Sequence, residues 1–270
     1  METLTRPEAC VDAVLSRVGK RILLGTPLGI GKPNHLLNAF YRRAQQDPGI
    51  ELVIHTALTL QRPRGKSLLE QRFLGPMVER VFGNYPDLAY ELDRMAGKLP
   101  ANVRVLEFYF QAGKYLRNEN AQRDYISSNY THVARDLHAR GVNVIAQQVC
   151  AGVVKGRPLL SLSSNPDLSL DLLAKLRADE KAGKAVAAIA QLNEQLPFMH
   201  GDALIAPDAF DFVVDDPQGS YTLFGPPKLS VGAADHMIGL YASALVRDGG
   251  ELQVGIGALG DAIVYALKLR

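Results

Sequence analysis

The chain has 270 residues, of which 47% are hydrophobic and 21% charged, with a formal net charge of +2 at pH 7. This is the composition of a globular protein that can bury a large core, and the balanced charge argues against a nucleic-acid partner. The charged amino terminus lacks the apolar core of a signal peptide, and no apolar run approaches the ~18 residues of a membrane span. The sequence therefore predicts a soluble cytoplasmic protein without a membrane partner.

The first sixty residues predict a helix followed by a strand–helix–strand unit. Residues 7–17 place apolar side chains at helical spacing, and the apolar run 21–25 ends at a glycine. The glycine turn GTPLGIGKP (25–33) leads into a helix that stops at Asp47-Pro48-Gly49, and residues 51–58 form the next strand. Units of this kind build parallel sheets.

The glycine turn contains a lysine, Lys32, that is followed by Pro33. A phosphate-binding P-loop requires Ser or Thr at that position, so the turn is not a P-loop. Two interpretations stay open for Lys32: it faces a phosphate, or it is a solvated lysine at a helix start.

Residues 59–140 differ from the segments around them. They begin with several arginines and with helical pieces between Pro63 and Pro100, continue with a strand at 103–110, and end with a loop and a helix that stops at Gly141. We interpret the region as a helical excursion over the sheet.

The second half of the chain predicts further strands and helices. Apolar alternation indicates strands, and amphipathic runs that end at glycine indicate helices. For 184–193 the alanines also favour a helix, but the alternation fits a strand better. The predicted strands are 142–149, 184–193, 210–216 and 252–257, and the predicted helices are 167–183 and 234–250. The sequence thus predicts an α/β fold with an open, mostly parallel sheet and helices on both faces.

The closing loop GIGALG (255–260) satisfies the dinucleotide-binding pattern G-x-G-x-x-G. That pattern also requires an acidic residue about 20 positions later to hold the ribose, but the sequence ends ten residues after Gly260. Three interpretations remain: an NAD site, a structural turn, and a loop of the same kind for a different ligand. The missing acidic residue favours the third over the first.

Two glycine turns share the letters G-I-G, at Gly29–Gly31 and Gly255–Gly257. We expect both at the carboxyl edge of one parallel sheet, where ligands bind in open α/β folds. Asn193 and Glu194 follow a predicted strand, so they either contact a ligand or stabilise a turn.

Other candidate residues favour structural roles. Ser163, Ser164 and Asn165 precede Pro166 and predict a turn and a helix N-cap. Cys10 and Cys150 form no CxxC pair and predict buried, inert thiols. The six histidines show no metal-ligand spacing, so we expect no metal site.

The carboxyl-terminal third resembles the acetyl-CoA hydrolase/transferase family, which includes the 4-hydroxybutyrate and acetate CoA-transferases. The family run I-G-x-x-x-A-x-L-I-x-D-G-x-x-L-Q-x-G-I-G is matched closely by 238–257, and its N-E-x-x-P-x-x-x-G run is matched by Asn193, Glu194, Pro197 and Gly201. The resemblance is strong over about 160–267 and weaker before that. It departs at Gly260, where the family has proline, and over 59–140, where few residues match.

The resemblance implies that 1–270 form an amino-terminal CoA-transferase-like domain. Enzymes of this family use a glutamate nucleophile that attacks an acyl-CoA thioester and forms an acyl-glutamyl anhydride. That glutamate lies in a second α/β domain, so we expect it beyond Arg270 and expect no catalytic residue in this chain. A substrate cleft is then expected to be lined by Gly29, Gly31, Asn193, Glu194, Gly255, Ile256, Gly257 and Ala258.

The same resemblance implies the ligands and partners. Coenzyme A is expected as a substrate and not as a covalently bound cofactor, together with a small carboxylate. The expected protein partner is the carboxyl-terminal domain of the parent chain, and a homodimer is compatible with this. The alternatives are a non-catalytic module that binds acyl-CoA or a partner protein, and an NAD-binding oxidoreductase fragment.

Overall fold

The structure is a computed structural model that describes residues 1–225 and 229–270. The chain divides into two compact units, Met1–Leu223 and Phe224–Arg270. Within the described residues, the first unit contains all the strands and most of the helices. Its elements are β1 (Glu2–Leu4), α1 (Pro7–Val18), β2 (Arg21–Leu28), α2 (Asn34–Gln46), β3 (Glu51–Ala57), α3 (Leu68–Phe82), α4 (Ala89–Met95), β4 (Val103–Glu107), α5 (Glu119–Arg123), α6 (Val133–Ala139), β5 (Val144–Val154), β6 (Arg157–Ser161), α7 (Ser169–Lys181), β7 (Ala187–Leu192), β8 (Leu204–Ile205) and β9 (Phe212–Val214).

Seven strands of the first unit form one sheet in the order β1-β9-β7-β5-β2-β3-β4. Every neighbouring pair in this row is parallel, so all the carboxyl ends lie at one edge. The far end of β5 continues into an antiparallel pair with β6, and β6 pairs with β8. Helices α1, α2 and α4 share one hydrophobic core with one face of the sheet, and α6 and α7 share a second core with the other face.

These observations confirm the predicted fold class, an open and mostly parallel α/β sheet with helices on both faces. The predicted strand–helix–strand unit is β2–α2–β3, whose two strands are parallel neighbours. The segment 184–193, whose alanines also favoured a helix, contains β7. The alternation of apolar residues was therefore the better indicator of its structure. The predicted helical pieces in 59–140 are α3 to α6.

Short elements were missed by the sequence prediction. Strands β1, β6 and β8 have five residues or fewer, and such runs carry little periodicity. Each depends on its neighbours in the fold for its hydrogen bonds, which sequence spacing does not reveal.

The second unit, described by itself, is a pair of helices, α8 (Ala233–Ser243) and α9 (Ala258–Leu269). The helices pack closely at Gly239, where a Cβ atom would lie 2.7 Å from the carbonyl oxygen of Ala262. The predicted helix 234–250 is shorter than expected and ends at Ser243. Its next amides form tighter i→i−3 bonds, such as Val246 to Ser243 O at 3.2 Å, which close the helix before the glycine pair.

The predicted strand 252–257 is wrong: the structure has no strand there. A strand requires the backbone hydrogen bonds of a neighbour, and no described strand pairs with this segment. Ile256 is 87% exposed, so this apolar side chain is not buried within the second unit. No helix in the described residues is long and apolar enough to cross a membrane.

Candidate functional site

The first predicted glycine turn lies at the carboxyl end of β2, a central strand of the sheet. Gly29 has φ 58°, a backbone conformation that favours glycine. Gly31 has no room for a side chain, because a Cβ would lie 2.5 Å from the Cβ of Asn165. The turn therefore needs both glycines, and it brings its backbone close to the segment before α7.

Asn193 and Glu194 lie at the same sheet edge, at the end of β7. Asn193 is fully buried; its Nδ2 donates to the carbonyl of Tyr221 (3.2 Å) and its Oδ1 accepts from the amide of Gln195 (2.9 Å). Both ends of the amide are thus used within the protein. The Glu194 amide donates to Ser220 Oγ (3.0 Å), while the Glu194 side chain is exposed.

A buried polar network joins the two predicted segments. The Tyr221 hydroxyl donates to Gln148 Oε1, and Gln148 Nε2 donates to the carbonyl of Ile30 (3.2 Å). Tyr221 also accepts from the amide of Asn34 at the start of α2 (3.3 Å). Since Tyr221 carries the carbonyl that holds Asn193, the network fixes both segments relative to β5.

Gln148 and Tyr221 were not predicted from the sequence. A signal for Gln148 was present, because the pair QQ interrupts the otherwise apolar run VIAQQV of β5. Buried polar side chains on a central strand need partners. The partner of Gln148 lies 73 positions away along the chain, and no local pattern reveals such a separation.

Lys32 occupies a third kind of environment, which neither sequence interpretation anticipated. Its side chain is fully buried, and Nζ donates to the carbonyls of Ala57 and Leu58 (3.2 Å to the latter). Burial lowers the pKa of Lys32 to about 7, although Glu107 and Asp167 oppose that change. Lys32 therefore ties the glycine turn to the end of β3.

The segment Ser163–Asp167 closes the other side of the glycine turn. Ser163 has φ 57°, and its Oγ donates to the carbonyl of Pro197 (2.8 Å). The predicted turn is present, but the predicted N-cap is wrong: the N-cap of α7 is Leu168, without a side-chain cap, and the Ser163 hydroxyl is used for a tertiary contact. Leu58, at the end of β3, is a second non-glycine residue with positive φ at this edge (45°), a strain that is typical of functional sites.

Two buried polar atoms beside the turn have no hydrogen-bond partner among the described residues. They are Thr26 Oγ1 and Asp167 Oδ1. The other oxygen of Asp167 accepts from the amide of Leu28 (3.2 Å), and burial raises the pKa of this carboxyl group. Unsatisfied buried polar atoms are uncommon and call for an explanation such as a bound water or ligand.

The second predicted glycine loop belongs to the second unit. Gly257 has φ 137° and is the N-cap of α9, which begins at Ala258. A Cβ at Gly260 would lie 2.2 Å from the carbonyl oxygen of Gly255, so the first helical turn folds against the loop. The first amides of α9 have no intrahelical acceptors, and the helix dipole adds positive potential there. A dinucleotide fingerprint would need a strand before this loop, and the structure has none.

No group of three or more His, Cys, Asp or Glu side chains that could hold a metal ion is found in the part of the chain that the structure describes. Both cysteines are buried, and burial raises the pKa of each thiol, to about 12 for Cys10. Neither thiol is therefore activated as a nucleophile.

No protein-family model matches the chain. The chain is 37% identical over 89 residues to 4-hydroxybutyrate coenzyme A transferase of Clostridium kluyveri, a match that covers 32% of this chain and 20% of the relative. It is 37% identical over 101 residues to succinyl-CoA:cyclohexane-1-carboxylate CoA transferase of Geobacter metallireducens, covering 37% and 21%.

Solved structures extend the similarity over the whole chain. RipA from Yersinia pestis matches 100% of this chain and 54% of its own, with a TM-score of 0.63 and 22% identity. A 4-hydroxybutyrate CoA-transferase from Porphyromonas gingivalis matches 98% and 51%, with a TM-score of 0.51 and 19% identity. The resemblance to CoA transferases is thus confirmed over part of the chain in sequence, and the fold is shared. The chain spans about half the length of these structures and about a fifth of each curated relative is matched.

Proposed function

We propose that this chain forms one wall of an acyl-CoA cleft in a CoA-transferase or acyl-CoA hydrolase. The observation that carries the proposal is the carboxyl edge of the sheet, where a glycine turn with no room for a side chain at Gly31 adjoins two buried polar atoms, Thr26 Oγ1 and Asp167 Oδ1, that have no hydrogen-bond partner among the described residues. Open α/β sheets bind ligands at this edge. The named CoA-transferase relatives supply the ligand class.

The chemistry requires a carboxylate nucleophile, which we assign to a glutamate of a second α/β domain outside this chain. Its carboxylate attacks the thioester carbonyl, the C–S bond breaks, CoA leaves as the thiolate, and an acyl-glutamyl anhydride remains. Attack of the CoA thiolate on the glutamyl carbonyl then frees the first acid and leaves a glutamyl thioester. A second small carboxylate then attacks the glutamyl thioester and displaces the CoA thiolate, which attacks the new acyl carbonyl, so that a new acyl-CoA forms and the glutamate is released. With water in place of the carboxylate, the glutamyl thioester is hydrolysed to glutamate and CoA.

This chain contributes backbone donors and shape to that cleft. The amides around Gly255, Ile256, Gly257 and Ala258 would stabilise the oxyanion that forms on the thioester carbonyl, because they include the open start of α9. In the first unit, Gly29, Gly31 and the Asn193–Glu194 segment are the residues that we propose for contact with the acyl-CoA. In this assignment Asn193 positions its loop, because both ends of its amide group are already bonded within the protein.

The proposal is tested on the purified chain by titrating acetyl-CoA and NADH separately and following backbone amide NMR signals. Acetyl-CoA is expected to shift amides of Gly29–Gly31, Asn193–Glu194 and Gly255–Ala258, and NADH is expected to leave them unchanged. The chain alone is expected to show no transferase or thioesterase turnover, because the nucleophile is outside it.

A matched pair of substitutions sharpens this test. Gly257→Val places a side chain at the start of α9 and should abolish the shifts of Gly255–Ala258, whereas Gly156→Val, at φ 76° with open space around it, should leave them intact. Shifts confined to other surfaces, or equal shifts with NADH, would overturn the assignment. Binding without turnover after a glutamate-bearing second domain is supplied would instead favour a non-catalytic acyl-CoA-binding module.

A further inference from the structure

Helix α3 (Leu68–Phe82) of the first unit has no buried residue. Among the described residues, no other helix or strand packs closely against it. Only its two ends are fastened: Arg64 pairs with Asp87 (2.7 Å) before the helix, and Asn84 Oδ1 accepts from the amide of Thr222 (2.7 Å) after it. The helix is therefore anchored at its ends and bare in its middle.

The bare part of α3 exposes a row of large apolar side chains. Leu69 is 77% exposed, Phe73 82%, Met77 43% and Val81 37%. Residues four positions apart are neighbours on a helix surface, so these side chains form one continuous row. We term these four residues the α3 ridge. Exposed apolar patches of this kind mark sites of interaction with other proteins.

The helix also needs support that its own sequence does not supply. Gly75 and Pro76 lie inside it, and these are the two poorest helix-forming residue types. A capping box of Ser67 and Glu70 stabilises only the first turn. Isolated helices of this length are marginal, and most helices in proteins are stabilised by packing of an apolar face. A partner that covers the α3 ridge would supply that packing.

The apolar residues of the ridge are arranged symmetrically about Gly75. Phe73 and Met77 are equally distant from it along the chain, and so are Leu69 and Val81. When two copies of α3 lie antiparallel about a two-fold axis at Gly75, each of these side chains comes to the level of an apolar side chain of the other copy. A two-fold interface pairs one surface patch with itself, and this symmetry meets that requirement.

The charged residues of α3 have the matching order. Glu70 and Arg80 are equally distant from Gly75, so the antiparallel pair brings each acid to the level of a base. Arg72 and Glu79 are seven positions apart and lie on one flank of the helix, and they match in the same way to within one residue. Arg72, Glu79 and Arg80 are exposed and form no ion pair among the described residues. A parallel pair would instead bring like charges together.

We propose that the α3 ridge is a homodimer interface, in which two copies of this chain pack their α3 helices antiparallel about a two-fold axis at Gly75. None of the ridge residues is among those proposed for contact with acyl-CoA, so the dimer is independent of that function. The helix is about 22 Å long at ~1.5 Å per residue. The interface is therefore small and belongs to the weak class that buries less than ~1,200 Å², and a dissociation constant in the micromolar range is expected.

The proposal is tested by sedimentation equilibrium of the whole chain across the micromolar concentration range, where a monomer–dimer equilibrium is expected. Phe73→Glu should weaken the dimer at least tenfold, because it places a carboxylate in the middle of the ridge. Phe73 is 82% exposed, so the monomer should keep its fold and its circular dichroism spectrum. The matched control is Leu245→Glu, at a side chain of the second unit that is 84% exposed; it should dimerise as the unchanged chain does.

An exchange of charges tests the antiparallel register. Arg72→Glu and Glu79→Arg should each weaken self-association, because each variant brings like charges to the same level twice. In an equal mixture of the two variants, both contacts of the mixed dimer join opposite charges. A tagged Arg72→Glu chain should therefore retain untagged Glu79→Arg, and high salt should reduce this retention.

The proposal is wrong if the chain stays monomeric throughout the concentration range, since the ridge would then be left for a different protein or for another segment of a longer chain. It is also wrong if Leu245→Glu dissociates the dimer and Phe73→Glu does not, because the interface would then lie on the second unit. Failure of the two charge variants to associate more strongly with each other than with themselves would refute the antiparallel arrangement.

Discussion

Replacing Tyr221 by phenylalanine removes a single hydroxyl from the network that joins the glycine turn to β5 and to the Asn193 loop. Tyr221 is 1% exposed, and its hydroxyl bonds with Gln148 Oε1 and with the amide of Asn34. Gln148 is also fully buried, so water cannot replace the lost partner. The substitution keeps the ring and therefore the packing.

The expected cost follows from the three groups that lose a partner, which are Gln148 Oε1, the Asn34 amide and the Lys32 carbonyl, 3.0 Å from the hydroxyl. An unsatisfied buried donor or acceptor costs roughly 1–3 kcal/mol, so the Tyr221→Phe variant should lose about 3 kcal/mol of its free energy of unfolding. For a chain of this size, 1 kcal/mol corresponds to about 2–4 °C in melting temperature. We therefore expect a melting temperature that is lower by roughly 6–12 °C.

The assay is thermal and urea unfolding of the variant beside a matched Tyr109→Phe control. Tyr109 is 51% exposed, and removal of its hydroxyl should change stability by no more than about 0.5 kcal/mol. If Tyr221→Phe were no more destabilising than Tyr109→Phe, the network would not hold the sheet edge together, and the fixed geometry that we assign to the Asn193 loop would be wrong.

Two further predictions concern the same edge. The pKa of Lys32 is about 7 in the folded state and ordinary in the unfolded state, so the unfolded state binds more protons. The free energy of unfolding should therefore rise by about 2 kcal/mol from pH 7 to pH 9. In urea unfolding, the Lys32→Met variant should lack this rise, and an unchanged rise would mean that another group titrates. Gly31→Ala should cost about 1–3 kcal/mol through its clash with Asn165; the added substitution Asn165→Gly should restore part of that stability, and no restoration would mean that the clash is not the cause.

Sequence periodicity was sufficient for the main frame of the fold. Strands β2, β3, β5 and β7 are apolar runs between glycine-rich turns, and their parallel pairing follows from the helices between them. The same reasoning failed for residues 252–257, whose apolar residues follow the pattern that is typical of a strand. A strand exists only when a neighbour completes its hydrogen bonds, and that condition is not a property of the segment itself.

The glycine turn and the Asn193 loop could also be located from sequence, because glycine and polar residues directly after a strand are local signals. Their connection could not be predicted. It depends on the hydrogen bond between Tyr221 and Gln148. These residues are 73 positions apart in the chain, so no local sequence pattern reveals their contact. Likewise, Glu91, Arg94 and Glu107 look like surface charges in sequence, yet the fold buries all three together.

The chemistry available at the sheet edge follows from which groups remain free. Asn193 and Lys32 were the polar side chains that the sequence offered for ligand contact, and both are fully used inside the protein. The edge is left with backbone amides, two glycines, the exposed Glu194, and the buried atoms Thr26 Oγ1 and Asp167 Oδ1, which have no partner among the described residues. Such a surface can stabilise a developing negative charge, but it holds no activated nucleophile, since both cysteines have raised pKa values. In the proposed mechanism, a thioester bound there reacts with a carboxylate from a second domain outside this chain.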